Sequence, residues 1–158
     1  MKTLLLAYNS LAYEDIDDLA SGLRENEALA HLRLNGNSLG VEGTETLVEA
    51  LKQNRTLRTL EVKSTFRGKG NHFSHGEDCA KAYGLLLKAD TGLQELYLDD
   101  NSIWDTFTYI IDGVAENEKL SMLSLANNGI TTTIPPPENE NLLLVLIAVF
   151  MILGVGGW

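Results

Sequence analysis

Cysteine is nearly absent from this chain. Its 158 residues hold a single one, which excludes an internal disulfide framework and fits a cytosolic setting. Proline is confined to one place, Pro135–Pro137. Cations are scarce: 12 Lys and Arg stand against 22 Asp and Glu, for a formal charge of −10 and an isoelectric point near 4.6. So acidic a surface disfavours nucleic-acid phosphate and favours a protein partner of basic character. The opening MKTLLLAYNS is too short an apolar run for a secretory signal. Without one, the sequon Asn54-Arg55-Thr56 carries little weight as a glycan acceptor.

Signatures of chemistry are missing too. His72, His75, Asp78 and Cys79 lie close together but match no standard zinc spacing. A Cys–His nucleophile would lack an identifiable orienting group. Glu14, Asp15, Asp17 and Asp18 read as the acidic start of a helix, where they favour the positive helix terminus. They lack the alternating oxygen ligands and central glycine of a calcium loop. The expectation is a non-catalytic protein with no metal and no cofactor.

What the chain has is a repeat. Leu4-x-Leu6-x-x-Asn9-x-Leu11 returns at Leu29-x-x-Leu32-x-Leu34-x-x-Asn37-x-Leu39, at Leu93–Ile103 and at Leu120–Ile130. A partial copy, Leu57-x-x-Leu60-x-Val62, carries Thr65 where Asn is due. The steps from Leu4 through Leu32, Leu60 and Leu96 to Leu123 are 28, 28, 36 and 27 residues. A period of this size signals a stacked array. Alternating leucines place one side of a short strand in the core. The Asn amide can donate and accept where the chain leaves the strand. An apolar helical face follows, as in Leu47, Val48 and Leu51. By spacing, Asn26, Asn54, Asp90 and Asn117 end the helices.

The string LRLNGNSLGVEGTETLVEALKQNRTL resembles a leucine-rich repeat of the ribonuclease-inhibitor subtype. The long repeat is similar to those of Ran GTPase-activating protein and NOD-like receptors. The resemblance implies an α/β leucine-rich repeat solenoid over residues 1–130, a right-handed horseshoe segment of about five repeats. Its first unit opens on a strand with no polar cap before it, so the reading requires either a partner over that edge or a longer chain. Residues 66–75 read as an inserted loop.

Beyond Ile130, residues 131–141 read as a Pro-rich polar spacer. Residues 142–158 are uncharged and apolar, about 25 Å long as a helix, just short of a ~30 Å hydrocarbon core. They are expected to form a C-terminal apolar helix that anchors the protein to a membrane in a single pass, with the repeats facing the cytosol.

The same scaffold serves many partners, so function must be read from its surface. Side chains between the buried leucines form two outward columns: Leu5, Arg33, Glu61, Tyr97, Ser124 and Ala7, Asn35, Lys63, Asp99, Ala126. The expected contact residues are Arg33, Asn35, Glu61, Lys63, Tyr97, Asp99, Asp100 and Trp104, with the aromatics as anchors. The leading reading is a membrane-tethered recognition module or scaffold. The alternatives are a GTPase activator of the Ran type, for which no catalytic motif aligns here, and an accessory subunit of a membrane complex.

Overall fold

The computed structural model describes residues 1–65 and 72–131. Five short parallel strands pair in chain order: β1 (Thr3–Leu5), β2 (His31–Arg33), β3 (Thr59–Glu61), β4 (Glu95–Tyr97) and β5 (Met122–Ser124). Between them run α1 (Tyr13–Glu25), α2 (Gly40–Leu51), α3 (His72–Lys88) and α4 (Thr108–Ala115), the last entered through a 3-10 turn at Trp104–Phe107. Leu4, Leu32, Leu60, Leu96 and Leu123 fall in one register row, the column the sequence sets out. Each helix packs on the next, and one apolar cluster fills the space between helices and sheet. Burying each of Leu32, Leu60, Leu96 and Leu123 stabilises the fold by roughly 1.5–3 kcal/mol. Leu4 and Leu6 are only partly covered, because the first unit has a neighbour on one side.

Asn side chains stitch unit to unit at both ends of the helices. At the strand exit, Asn37 Nδ2 donates to Leu6 O at 2.9 Å and Leu34 O at 2.7 Å, while its Oδ1 accepts from Asn9 N and Leu11 N at 3.0 and 3.1 Å. Asn101 and Asn128 repeat the arrangement one and two units after the interrupted third. The residue before each of these positions is left-handed in all five units: Tyr8, Gly36, Ser64, Asp100 and Asn127, with φ between 53° and 69°. At the helix exit, Asn54 Nδ2 donates to Leu23 O at 2.7 Å and Asn26 O at 3.0 Å. Asn117 likewise reaches Leu87 O at 2.6 Å.

Three expectations need correction. Spacing puts Asp90 at the end of the third helix, but Asp90 is exposed and pairs with Lys119. The buried Thr91 turns the chain instead, its hydroxyl accepting from Leu93 N at 3.3 Å. A carboxylate has no hydrogen to give a carbonyl, so it cannot do what an Asn amide does there. Second, α3 begins at His72, so residues 72–75 are helical rather than the end of an inserted loop; residues 66–71 lie outside the described residues. Third, the single-pass membrane location is not sustained: among the described residues no helix is long and apolar enough to cross a membrane. Residues 142–158, where that helix was expected, lie outside the described residues, as does the spacer beyond residue 131.

Candidate functional site

The helices cover one face of the sheet, and the opposite face is open. Because strand side chains alternate, it carries three columns. The register aligns Thr3, His31, Thr59, Glu95 and Met122 in the first, and Leu5, Arg33, Glu61, Tyr97 and Ser124 in the second. The third continues two residues on through Asn35, Lys63 and Asp99. The first of these columns was not singled out in the sequence. The signal was present, since the alternation extends one residue upstream of each central leucine.

The structure brings six of the eight expected contact residues together. Arg33 Nη2 lies 2.7 Å from Glu61 Oε1, and Asn35 Nδ2 donates to Glu61 Oε2 at 2.9 Å. Lys63 N donates to Asn35 Oδ1 at 2.9 Å. Lys63 Nζ reaches Asp99 Oδ2 at 2.6 Å and stands 4.9 Å from the centre of the Tyr97 ring. Tyr97 and Thr59 both donate to Glu95 Oε2, at 3.4 and 3.1 Å. Burial alone would raise the Glu61 carboxyl, but hydrogen bonds from Arg33 and Asn35 and the charges of Arg33 and Lys63 outweigh it and hold it below the usual range. Burial, then the neighbouring Glu95, push the Tyr97 phenol up.

The other two residues sit apart. Asp100 is exposed in the left-handed turn beyond β4. Trp104 lies on the rim where strand passes into helix, with φ +54° and an exposure of 42%. Its ring rests on Gly129, where an added Cβ would come within 2.7 Å of it. Tyr8, 80% exposed, lies in the same way over Gly36.

Charge is divided between the two sides of the molecule. The open face carries Arg33 and Lys63 against Glu61, Glu95 and Asp99, a net of −1, whereas the chain carries −10. Helices α1 and α2 hold eight carboxylates and one guanidinium, Arg24. Negative charge is therefore concentrated on these helices rather than on the open face.

Of the remaining polar candidates, Cys79, Asp78 and Asn54 are accounted for by their surroundings. Cys79 is buried, its thiol 3.9 Å from Gly40 O, and desolvation pushes it up to about 12. Asp78 faces Lys81. His72 and His75 fall in the first turn of α3. Among the described residues, no three His, Cys, Asp or Glu side chains gather as a metal site. Asn54 of the sequon is 3% exposed, and its amide nitrogen already serves two carbonyls.

The sequence model described as Leucine Rich Repeat matches residues 119–142, which include the fifth unit. No curated protein sequence matches the chain. Among solved structures, the tropomodulin C-terminal domain from Caenorhabditis elegans is similar, with a TM-score of 0.64 over 94% of this chain and 82% of that one. Identity is 16%, so the likeness is one of fold.

Proposed function

We propose that this leucine-rich repeat chain is a non-catalytic protein-recognition module whose contact surface is the open face of its sheet. The observation that carries the reading is the arrangement of that face. Both of its cations are paired with carboxylates on the same face, and the aromatic Tyr97 is held in place by Lys63 on one side and Glu95 on the other. Side chains already fixed lose little entropy on binding. Met122 and Leu5, 37% and 62% exposed, supply apolar area beside them. A near-neutral partner surface with an apolar or aromatic centre fits such a face better than a polycation.

The subtype it fits best is the ribonuclease-inhibitor-like one. The first four units carry helices of 13, 12, 17 and 8 residues. Strands sit about 4.8 Å apart, while packed helices need about 8–10 Å. That mismatch bends such a stack into a horseshoe with the sheet inside.

Crosslinking capture from a native extract tests the surface. Tyr97→Ala is expected to lower capture of the specific partner by at least about ten-fold, the usual effect of losing a central aromatic anchor. Reversing Glu14, Asp18 and Glu45 to Lys is expected to leave it intact. The opposite pattern would transfer the site to the helices.

A further inference from the structure

Two joints in this chain, between units one and two and between units three and four, are each held by two side-chain struts, one at each end of the helix. Asn128 joins unit five to unit four at the strand exit. Between units one and two the struts are Asn37, bonded to Leu6 O, Asn9 N and Leu11 N, and Asn54, bonded to Leu23 O and Asn26 O. Between units three and four they are Asn101, bonded to Val62 O and Thr65 N, and Asn117, bonded to Leu87 O.

The joint between units two and three has neither. Thr65 occupies the first position, and its hydroxyl donates to Val62 O of its own unit at 3.0 Å. Thr91 occupies the second, and its hydroxyl accepts from Leu93 N. Among the described residues neither of these two side chains bonds back to unit two, and the helix side is crossed there by the weak contact of Cys79 Sγ, 3.9 Å from Gly40 O. The backbone contact there, Gly40 N to Thr65 O, is long at 3.4 Å. A small crevice lined by Leu51, Asn54, Leu57, Leu86, Thr91 and Leu93 opens at the same joint. Both replacements and the crevice therefore fall on one plane through the molecule.

The sheet side of that plane is different. There, besides the bonds of Leu34 N to Glu61 O and Gly36 N to Lys63 O at 2.8 Å, the joint is crossed by Arg33–Glu61, Asn35–Glu61 and Lys63 N–Asn35. These side chains bridge the two units that lack Asn struts.

We propose that the chain divides at this joint into two cooperative blocks, units one and two against units three to five, latched across the open face by Arg33, Asn35 and Glu61. In a stack where each unit contacts only its neighbours, stability is a sum of unit and interface contributions, so the weakest interface sets where the stack parts. A ligand that takes Glu61 or Arg33 for itself removes the latch and lowers the cost of parting. The division itself holds whether or not that face binds a partner.

Native-state hydrogen exchange on the full chain tests this. Amides of β1, α1, β2 and α2 should open together as one unit and exchange faster than those of β4 and α4, with a step between β2 and β3. Thr65→Asn and Thr91→Asn each supply a strut and should slow the first block by about ten-fold, leaving the second unchanged. Glu61→Ala should speed the first block by a similar factor. A smooth gradient from β1 to β5, with α1 opening independently of α2, would mean ordinary end fraying and overturn the division. So would variants that shift both blocks equally. Because Thr65, Thr91 and Glu61 act at three different positions along the joint, failure of one variant to fold leaves the other two decisive.

Discussion

Lys63 and Asp99 meet on the open face at 2.6 Å, and the second oxygen of the same carboxylate accepts from Ala126 N at 2.9 Å and from the Ser124 hydroxyl. Asp99 is thus shared by units three, four and five. Its side chain is nearly buried, so its charge is committed inside the sheet before any partner arrives. What a partner meets at this point is the outer side of Lys63 and the Tyr97 ring.

Asp99→Ala should accordingly destabilise the fold as well as alter the face. It strands an amide N–H, a hydroxyl and an ammonium group, and leaving buried donors unmet costs about 1–3 kcal/mol. Asp99→Asn, which keeps the acceptor but loses the charge, should cost less. Urea unfolding of the three proteins measures the order; equal midpoints for all three would show that Asp99 contributes nothing to the joint.

The repeated Asn should differ in weight from unit to unit. Asn101 is buried, with its amide spread over Val62 O, Leu98 O and Thr65 N. Asn9 is exposed and reaches Ala7 O of its own unit at 3.1 Å. Asn101→Ala should cost about 3 kcal/mol, at roughly 1 kcal/mol for each of three bonds. Asn9→Ala should stay within about 0.5 kcal/mol. Thermal unfolding of both variants checks the contrast; similar losses would mean that motif position, rather than burial, governs the contribution.

That contrast marks what the sequence makes legible. The Leu column and the Asn positions fix the strand register, because period two and a turn-satisfying amide leave few other arrangements. The two side-chain columns on the open face follow from the same register. Their mutual pairing was equally open to derivation, since Arg33 aligns with Glu61 and Lys63 with Asp99, yet residues met as exposed columns look like partner contacts until distances are known. Thr91 was hidden because spacing favours Asp90, and only burial distinguishes the two. Nothing in composition announces that Trp104 adopts a left-handed backbone, the position that glycine holds in unit two as Gly40.

Cys79 should be inert in the folded protein. Thiolate is the reactive form, and desolvation pushes this thiol up to about 12. Alkylation at pH 8 should proceed only after denaturant is added. The same shift makes stability pH-dependent. The folded state holds its proton while the unfolded thiol loses it above about 8.5, so stability falls as pH rises past that value, by up to about 1.4 kcal/mol per unit. Comparing unfolding midpoints at pH 8 and 10 for the parent and Cys79→Ala isolates this contribution. A parallel decline in both would assign the alkaline loss to other groups.

Glu61 sets the response to acid. Its carboxyl is held below the usual range despite burial, through Arg33, Asn35 and Lys63. A depressed acid contributes stability that is present above its unfolded value of about 4.3 and is lost as pH falls through the lower folded value. Glu61→Gln keeps the shape and one acceptor but removes that dependence. At pH 7 the parent should exceed the variant by about 1 kcal/mol, a figure held down by partial solvent exposure of the pair. As pH falls through the lowered folded value the two should converge, because the parent's carboxyl then becomes neutral as well. The other carboxylates titrate in both proteins and cancel in the difference. Urea unfolding at pH 7, 5, 4 and 3 reads the gap directly. A gap that persists undiminished at pH 3 would show that Glu61 holds the two units by shape alone and that its charge has no part in the latch.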